Sequence, residues 1–346
     1  MNSDKPLPRK LVINNIVITP GSRVTLDMNV AKLYTHTPVS IPVHVISGKK
    51  PGPRIFICAA IHGDEINGVE IIRRLLKQKT LNKLHGDLIA IPVVNVHGFI
   101  SHSRYLPDRR DLNRMFPGSA TDSLAARLAH SFMTEIVSQC THGIDLHTGA
   151  LHRDNLPQVR INLDDPETVA LAEAFAVPVI LNSDLRDKSL REAAVERGIK
   201  LILYEAGEAL RFNEVGIRAG VNGILNVLRL LGMLPHKKRT IAHKPYTARA
   251  SHWVRAPMSG VFITKVKLGD VTQKGNLLGI VTEPLGENEL EVISPYEGIV
   301  IGLNNLPLAN EGDALIHIAL FGDVDAVADH IEEFHETLVP EDYVPK

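Results

Sequence analysis

The sequence predicts an α/β fold built on a mostly parallel sheet flanked by helices, followed by an all-β domain. Short apolar runs alternate with helical patterns over the first two thirds of the chain, which is typical of an α/β layer. Beyond residue 234 a basic, irregular stretch leads into short β-rich runs with turn glycines. We therefore expect an α/β domain at 1–234, a linker at 235–252, and a β-repeat domain with a helical tail at 253–346.

Five apolar runs have the composition of buried strands, because their apolar residues are continuous rather than alternating. They are RIFICAA (54–60), DLIAIPVVN (87–95), GIDLH (143–147), VPVILN (177–182) and IKLILYE (199–205). Four segments carry apolar residues three to four positions apart, which is typical of amphipathic helices. They are 67–79, 123–140, 190–198 and 213–234. Residues 11–47 read instead as alternating strands, so we expect an edge hairpin that leads into the sheet.

Composition limits the classes of function. The chain has 346 residues, of which 44% are hydrophobic, so it can bury a substantial core, and its length allows about two domains. Its 38 basic and 39 acidic residues give a net charge of −1, which argues against nucleic acid or an anionic membrane as a partner. A small-molecule ligand is the better expectation. The oligomeric state stays open, a homo-oligomer included.

The sequence carries no signal for export or for a membrane span. The charged first ten residues do not lead into a cleavable apolar core, and no run approaches the about 20 apolar residues that a span needs. The only cysteines are Cys58 and Cys140, both inside apolar patterns, so a disulfide framework is not expected. These features predict a cytoplasmic protein.

The most informative segment is IHGDEINGVE, which directly follows the first predicted strand of the sheet and places His62 three residues before Glu65. A second predicted strand ends at His147. Since the chain leaves the sheet at a strand end, these side chains can turn onto one point in the crevice above it. Catalytic zinc takes three such nitrogen and oxygen ligands and keeps a fourth position for water. We predict that His62, Glu65 and His147 bind one zinc ion.

The alternative is that these histidines are ordinary surface or hydrogen-bonded residues. The chain contains 16 histidines, so a single one carries little information. The combination of a close His–Glu pair with a second histidine, each after a strand, favours the metal site.

Glu205 follows the apolar run of a further predicted strand, in ILYEAGE. Zinc raises the acidity of water toward neutrality, and a nearby carboxylate can take the proton and deliver it to a leaving amine. We predict that Glu205 is this general base and acid. The alternative is a surface or helix-capping residue, which is our interpretation of Glu208.

A long loop at 103–118 is crowded with arginines, and long loops in compact domains are usually functional. A guanidinium can bind a carboxylate or stabilise an oxyanion. Arg109 and Arg110 have the character of solvated surface residues. Asn113 and Arg114 lie before an apolar Met-Phe pair, which favours a partly buried, positioned pair.

The C-terminal region repeats itself. APMSGVF (256–262) matches SPYEGIV (294–300), and 268–281 matches 308–319, which predicts a small β-sandwich or half-barrel. The region resembles the lipoyl and biotinyl carrier domains, which need a lysine at a hairpin tip. No lysine lies between Gly275 and Gly322, so carrier function is not expected. Shaping the mouth of the active site and simple stabilisation remain the two alternatives.

Four motifs together resemble the succinylglutamate desuccinylase and aspartoacylase family, which is related to the zinc carboxypeptidases. They are HGDEINGVE, DLNRMFPG, DLHTG and YEAGE, in that order. The segment HRDNLPQVR and the repeat region look more like bacterial members that deacylate N-acylated amino acids. The resemblance implies a zinc-carboxypeptidase-like sheet.

The resemblance also implies roles for individual residues. It makes His62, Glu65 and His147 zinc ligands, Glu205 the base and acid, and Asn113 with Arg114 a substrate-positioning pair. Arg104 resembles an arginine that polarises the scissile carbonyl, although two extra residues separate it from DLNR. Arg191 resembles the arginine that binds the substrate carboxylate, with Arg197 as the competing assignment.

The predicted function is zinc-dependent hydrolysis of the amide bond of a small N-acyl amino acid, of the deacetylase, desuccinylase or aspartoacylase type. One alternative is a metallocarboxypeptidase that acts on short peptides. Another is a noncatalytic binding protein, which the predicted base argues against because binding requires none.

Overall fold

The computed structural model describes residues 10–236 and 244–339. Its first part alternates strands and helices. The strands are β1 (Leu11–Ile13), β2 (Ile16–Ile18), β3 (Arg23–Lys32), β4 (Pro38–Ser47), β5 (Arg54–Ala59), β6 (Asp87–Ile91), β7 (His142–Gly149), β8 (Arg153–Ile161), β9 (Val179–Asn182) and β10 (Lys200–Glu208). The helices are α1 (Asn67–Leu76), α2 (Val96–Ile100), α3 (Leu124–Glu135), α4 (Pro166–Phe175), α5 (Leu190–Val195) and α6 (Glu214–Leu230).

The remaining described residues form mostly strands. They are β11 (Tyr246–Ala248), β12 (Ala250–Arg255), β13 (Gly260–Thr264), β14 (Val271–Thr272), β15 (Leu277–Thr282), β16 (Glu289–Ile293), β17 (Gly298–Asn304), β18 (Leu308–Ala309) and β19 (Ala314–Leu320), followed by helix α7 (Val324–Leu338). No helix in either described range combines the length and the apolar content that a membrane crossing requires.

The large sheet is mixed, which corrects the expectation of a mostly parallel one. Strands β6, β5, β7 and β10 lie side by side and run parallel. Strand β4 joins β6 in the antiparallel sense, and β8 joins β10 in the same sense. The link between β7 and β8 is too short for a crossover helix, so β8 has to turn back.

Both faces of the parallel strands are buried. Phe56 and Cys58 pack into one apolar core with α3 and α5, whereas Ile55 and Ile57 pack into a second core with α1, α4 and α6. This burial on both sides explains why these strands are continuous apolar runs in the sequence. The expected α/β architecture, with a sheet flanked by helices, is thereby confirmed.

Three elements of the first region were missed: the five-residue helix α2, strand β8 and helix α4. Strand β8 carries Asn155, Gln158 and Arg160 among its apolar residues, so it lacks the apolar run of a central strand. Helix α4 begins with Pro166 and is apolar on most sides, with no clear amphipathic period. Residues 11–47 form the β1–β2 hairpin, which is a separate sheet, and β3 and β4, which lie at the edge of the large one.

The C-terminal strands form a four-stranded sheet and also extend the large sheet. The four-stranded sheet has the order β16-β15-β13-β18, and β12, β19 and β17 continue the large sheet through the pairing of β17 with β8. The two repeats pair with each other in equivalent ways. Strand β14 of the first repeat pairs with β17 of the second, and β18 of the second repeat pairs with β13 of the first. The likeness to a lipoyl-type half-barrel stays a prediction.

The expected linker at 235–252 contains strand β11 and the start of β12, so its described part is not irregular. Strand β11 pairs with β9, which the basic composition of this stretch did not indicate. Residues 237–243 of this linker, residues 340–346 of the expected tail and residues 1–9 lie outside the described residues. The domain boundaries themselves stay a prediction.

Candidate active site

The candidate site lies at the carboxyl ends of three neighbouring parallel strands, β5, β7 and β10. His62 and Glu65 follow β5, His147 lies near the end of β7, and Glu205 lies opposite His147 in the ladder between β10 and β7. The structure therefore brings together the four residues that sequence reasoning placed at strand ends.

Glu65 lies between the two imidazoles. Its Oε1 is 2.6 Å from His62 Nδ1, and its Oε2 is 2.7 Å from His147 Nδ1. All three side chains are buried, and one ligand atom from each lies within 4.8 Å of the others. Two nitrogens and a carboxylate in this arrangement are a donor set that suits zinc.

Acidic side chains hold the far side of each imidazole. His62 Nε2 lies 3.2 Å from Asp111 Oδ1, and His147 Nε2 lies 2.8 Å from Asp145 Oδ2. Metal-ligating histidines usually donate their second ring N–H to such a carboxylate, which fixes the tautomer and leaves the other nitrogen for the metal. The residues present therefore fit a zinc ion.

The charges in this cluster stabilise one another. Burial lowers the pKa of His147, but the Asp145 and Glu65 carboxylates outweigh burial and raise it well above its ordinary value. Burial raises the pKa of Glu65, but the charges of His62 and His147 outweigh it and lower the pKa well below the usual range. A cation bound in place of the protons on the two imidazoles would balance the negative charge of the same carboxylates.

Helix α1 has to approach the sheet closely to present Glu65. A Cβ on Gly68 would lie 2.6 Å from Ala59 Cβ and 2.8 Å from Leu146 Cβ, so only glycine allows this contact. Asn67 then bonds the helix to the end of β10, since its Nδ2 donates to the Ala206 carbonyl at 2.9 Å.

Glu205 is positioned through one of its oxygens. Asn155 Nδ2 donates to Oε2 at 2.8 Å, and an Arg160 nitrogen lies 2.7 Å from the same atom. Both contacts are to Oε2, so Oε1 is the oxygen better placed to accept a proton. The ladder shifts its register after Glu205, where Gly207 has a φ of 77°.

Arg104 lies beside the proposed ligands. Its guanidinium is 3.2 Å from both Glu65 Oε1 and His62 Nδ1, and it forms a salt bridge to Asp111 at 3.0 Å. The two extra residues before DLNR therefore do not remove it from the site. Arg109 and Arg110 are exposed, as expected.

Asn113 and Arg114 both line the cavity. Asn113 is buried, and its side-chain oxygen accepts the Leu190 N–H at 2.9 Å, which ties the arginine-rich loop to the start of α5. Arg114 donates to the Asn113 carbonyl at 2.6 Å. The amide nitrogen of Asn113 is then the atom available for a ligand.

A cluster of three arginines lies next to Glu205, formed by Arg160, Arg186 and Arg191. Arg191 is buried and contacts Ser183 Oγ and the Asp184 carbonyl, while its NH1 finds no partner within the described residues. Burial, followed by the charge of Arg160, lowers the pKa of Arg191 to about 10. A bound anion would give Arg191 NH1 a partner and would stabilise the positive charge of the guanidinium. The competing Arg197 is exposed and does not line the cavity.

These residues enclose a cavity of about 260 Å³. A volume of this size suits a small molecule. Its wall includes Trp253 from strand β12, so a C-terminal strand contributes to the site.

Sequence reasoning missed several residues around the site. They are Asp111, Asp145, Arg153, Asn155, Arg160, Arg186 and Trp253. The two aspartates lie inside the motifs DLNR and DLHTG, so a search for carboxylates beside the histidines would have found them. Asn155 and Arg160 lie on the strand that was not predicted, and nothing in the sequence relates Trp253 to the site.

The chain matches known proteins over most of its length. The family model of the succinylglutamate desuccinylase/aspartoacylase catalytic domain matches residues 51–231. An N-alpha-acetyl-L-2,4-diaminobutyric acid deacetylase of Halomonas elongata is 27% identical over 297 residues, covering 81% of this chain and 86% of that protein.

Solved structures agree with this match. A succinylglutamate desuccinylase/aspartoacylase from Rhodobacter sphaeroides superimposes with a TM-score of 0.79 at 26% identity, covering 86% of this chain and 96% of that one. The ectoine utilization protein of Ruegeria pomeroyi in its product-bound structure gives a TM-score of 0.78 at 25% identity, covering 86% and 95%. The protein belongs to the succinylglutamate desuccinylase/aspartoacylase family.

Proposed function

We propose that the protein hydrolyses the amide bond of a small N-acyl amino acid with the help of one zinc ion. The observation that carries the proposal is the convergence of His62, Glu65 and His147 on one point, with Glu205 beside them in the same cavity. The deacetylase from Halomonas elongata supports the reaction class.

Zinc held by His62, Glu65 and His147 would polarise the scissile carbonyl and increase the acidity of water. Glu205 takes the proton of the attacking water on Oε1 while Asn155 and Arg160 hold Oε2. Glu205 then passes this proton to the leaving amine. Arg104 stabilises the negative charge that develops on the carbonyl oxygen.

The arginine cluster anchors the substrate carboxylate. Arg186 and Arg191 line the same cavity as Glu205, and Arg191 NH1, which has no partner among the described residues, is the donor that a carboxylate would accept from. Asn113 and Arg114 position the rest of the amino acid from the arginine-rich loop at 103–118. A free amino acid and a short carboxylate would be released.

The charge of the cavity favours an anionic substrate. Six arginines line it: Arg104, Arg114, Arg153, Arg160, Arg186 and Arg191. Among the described residues only two carboxylates line it, those of Glu65 and Glu205, and both already have partners. No lining carboxylate is left for a substrate amine, so we expect acidic N-acyl amino acids to be better substrates than basic ones.

The test is a hydrolysis panel with the zinc-loaded protein. N-acetyl-L-aspartate, N-succinyl-L-glutamate and N-acetyl-L-2,4-diaminobutyrate are compared with short peptides. We expect release of free amino acid from the first two, slower release from the third, and none from peptides. Preferential cleavage of peptides would establish the carboxypeptidase alternative, and binding without turnover would establish the noncatalytic one.

A further inference from the structure

We propose that Trp253, presented by C-terminal strand β12, forms the wall of the active site against which the acyl group of the substrate packs, so that it sets the acyl length. The inference rests on the proposed amide hydrolysis and adds a residue that determines specificity. Trp253 is the only tryptophan of the chain, and it is half-buried at the edge of the cavity that holds Glu205.

The lining of the cavity is mostly polar. Among the residues that form it, Trp253 and Leu203 are the only large apolar side chains. An apolar acyl chain gains free energy only where it can leave water against an apolar surface. Leu203 lies on β10 two residues before Glu205, whereas Trp253 comes from a separate strand at the edge of the cavity.

Trp253 is held in place from several directions. Its ring stacks on that of His317 with centroids 4.5 Å apart and an interplanar angle of 8°. The two residues also face each other across the β12–β19 ladder, and His317 Nε2 lies 2.9 Å from Ser251 Oγ. The Arg153 guanidinium carbon lies 5.2 Å from the indole centroid, within cation–π range.

His317 is neutral at physiological pH. Burial, followed by the positive charge of Arg160, lowers the pKa of His317 to about 3. A neutral imidazole does not repel the Arg153 guanidinium nearby. The stacking on His317, the ladder pairing and the Arg153 contact hold the indole of Trp253 in place, and a fixed wall discriminates by size.

The neighbours of Trp253 on strand β8 place it relative to Glu205. In the β8–β10 ladder Gln158 lies opposite Glu205. Arg160 lies further along β8 in one direction, and Asn155 lies further along it in the other. Trp253 is near the Asn155 end, because Arg153 contacts it there and a Cβ on Gly302 would touch both Asn155 and Trp253. If the arginine cluster holds the carboxylate, the acyl group extends past Glu205 toward Trp253.

The experiment compares acyl length across variants. The zinc-loaded wild type, Trp253→Phe and Trp253→Ala are assayed with N-acetyl-, N-propionyl- and N-butyryl-L-aspartate. We expect the ratio of kcat/KM for butyryl over acetyl to rise by about tenfold or more in Trp253→Ala, since each methylene in a pocket is worth about 10- to 200-fold. Trp253→Phe should keep most of the wild-type preference, because it retains an aromatic wall.

The matched control is Tyr296→Ala. Tyr296 also stacks on a histidine of the C-terminal region, His252, with centroids 4.4 Å apart, but it does not line the cavity. Its removal should leave the acyl preference unchanged. An unchanged preference in Trp253→Ala, or an equal change in both alanine variants, overturns the proposal.

A second readout does not depend on turnover. Tryptophan emission of Glu205→Gln is titrated with N-acetyl- and N-butyryl-L-aspartate, and a saturable change is expected because Trp253 is the sole tryptophan. If no N-acyl aspartate is hydrolysed by the wild type, the proposed reaction fails, and a saturable emission change still supports the wall. The absence of any emission change overturns the proposal that the acyl group packs against Trp253, whether or not the substrate is hydrolysed.

Discussion

The parallel strands and the C-terminal strands line the same cavity but contribute different chemistry. The ends of β5, β7 and β10 supply His62, Glu65, His147 and Glu205, whereas strand β12 supplies Trp253. His62, Glu65 and His147 are buried and contact carboxylates or one another, and Glu205 is half-buried and held by Asn155 and Arg160, whereas Trp253 is an aromatic ring at the edge. We propose that the carboxyl edge of the parallel strands carries out the reaction and that the C-terminal edge selects the substrate.

The largest expected effect comes from removing the base at the parallel edge. Glu205→Gln should lower turnover by about 10²- to 10⁴-fold, because the amide cannot accept a proton, while zinc content stays at the wild-type level. Steady-state assays and elemental analysis measure the two quantities. Glu208→Gln is the matched control on the same strand, since Glu208 accepts from His152 N and Asn305 Nδ2 and does not line the cavity. Parallel loss of zinc and activity in Glu205→Gln would identify a metal ligand instead.

Removing the anion-binding group should have the next largest effect. Arg191→Ala should lower kcat/KM for N-acetyl-L-aspartate by about 10- to 100-fold, as expected for loss of a hydrogen bond to a charged group. The loss should shrink when the substrate carboxylate is converted to an amide. Arg197→Ala is the control, since Arg197 is exposed on the same segment. Equal losses for acid and amide substrates would contradict carboxylate recognition by Arg191.

Strand β17 pairs with β8 at the seam between the two regions, and Gly302 lies there opposite Asn155. A methyl group at Gly302 tests whether the C-terminal region influences the position of Glu205. A Cβ on Gly302 would lie 2.9 Å from Asn155 Oδ1 and 3.1 Å from His317 Cβ. Because Asn155 holds Glu205, Gly302→Ala should reduce kcat by roughly tenfold through misplacement of the base, with little change in zinc content. Gly322→Ala, which has open space around its Cβ, is the control. Identical kinetics for the two variants would show that the seam does not influence the base.

The smallest expected effect is on stability at the same seam. Burial, followed by the charge of Glu208, raises the pKa of Asp154 to about 6. Since this exceeds the unfolded value of about 3.9, the folded protein binds the extra proton, and stability falls as pH rises from about 4 through 6. Asp154→Asn should therefore gain about 1 to 3 kcal/mol at pH 8 and nothing below pH 4.

Urea denaturation at both pH values measures this gain. Exposed Asp329→Asn serves as the control for a change in surface charge. A gain that persists unchanged at pH 4 would mean that the carboxylate of Asp154 is not the cause.

The two regions also differ in how much of them could be predicted. The ends of the parallel strands are marked in the sequence, because burial on both faces requires continuous apolar runs and His62, His147 and Glu205 stand directly at their ends. Strand β8 was not predicted, and with it Asn155 and Arg160 were missed. Asn155 and Arg160 line the cavity and contact Glu205, a partner far away in the chain, which no local pattern records.

The join between the regions is a tertiary feature of the same kind. The repeat predicted the strands of the C-terminal region, but not that β17 pairs with β8 or that Trp253 reaches the cavity. Cross-strand pairing between distant segments depends on the register of both strands. The arginine cluster was likewise only partly foreseen, since Arg191 was assigned through a family resemblance and Arg186 through nothing in the sequence.

The most direct test of the proposed zinc site is a crystal structure of the zinc-loaded protein with anomalous data collected at the zinc edge. We expect one anomalous peak at about 2 Å from a nitrogen of His62, a nitrogen of His147 and an oxygen of Glu65. A peak that touches only one of the two imidazoles, or a strong peak elsewhere with none at this point, would contradict it.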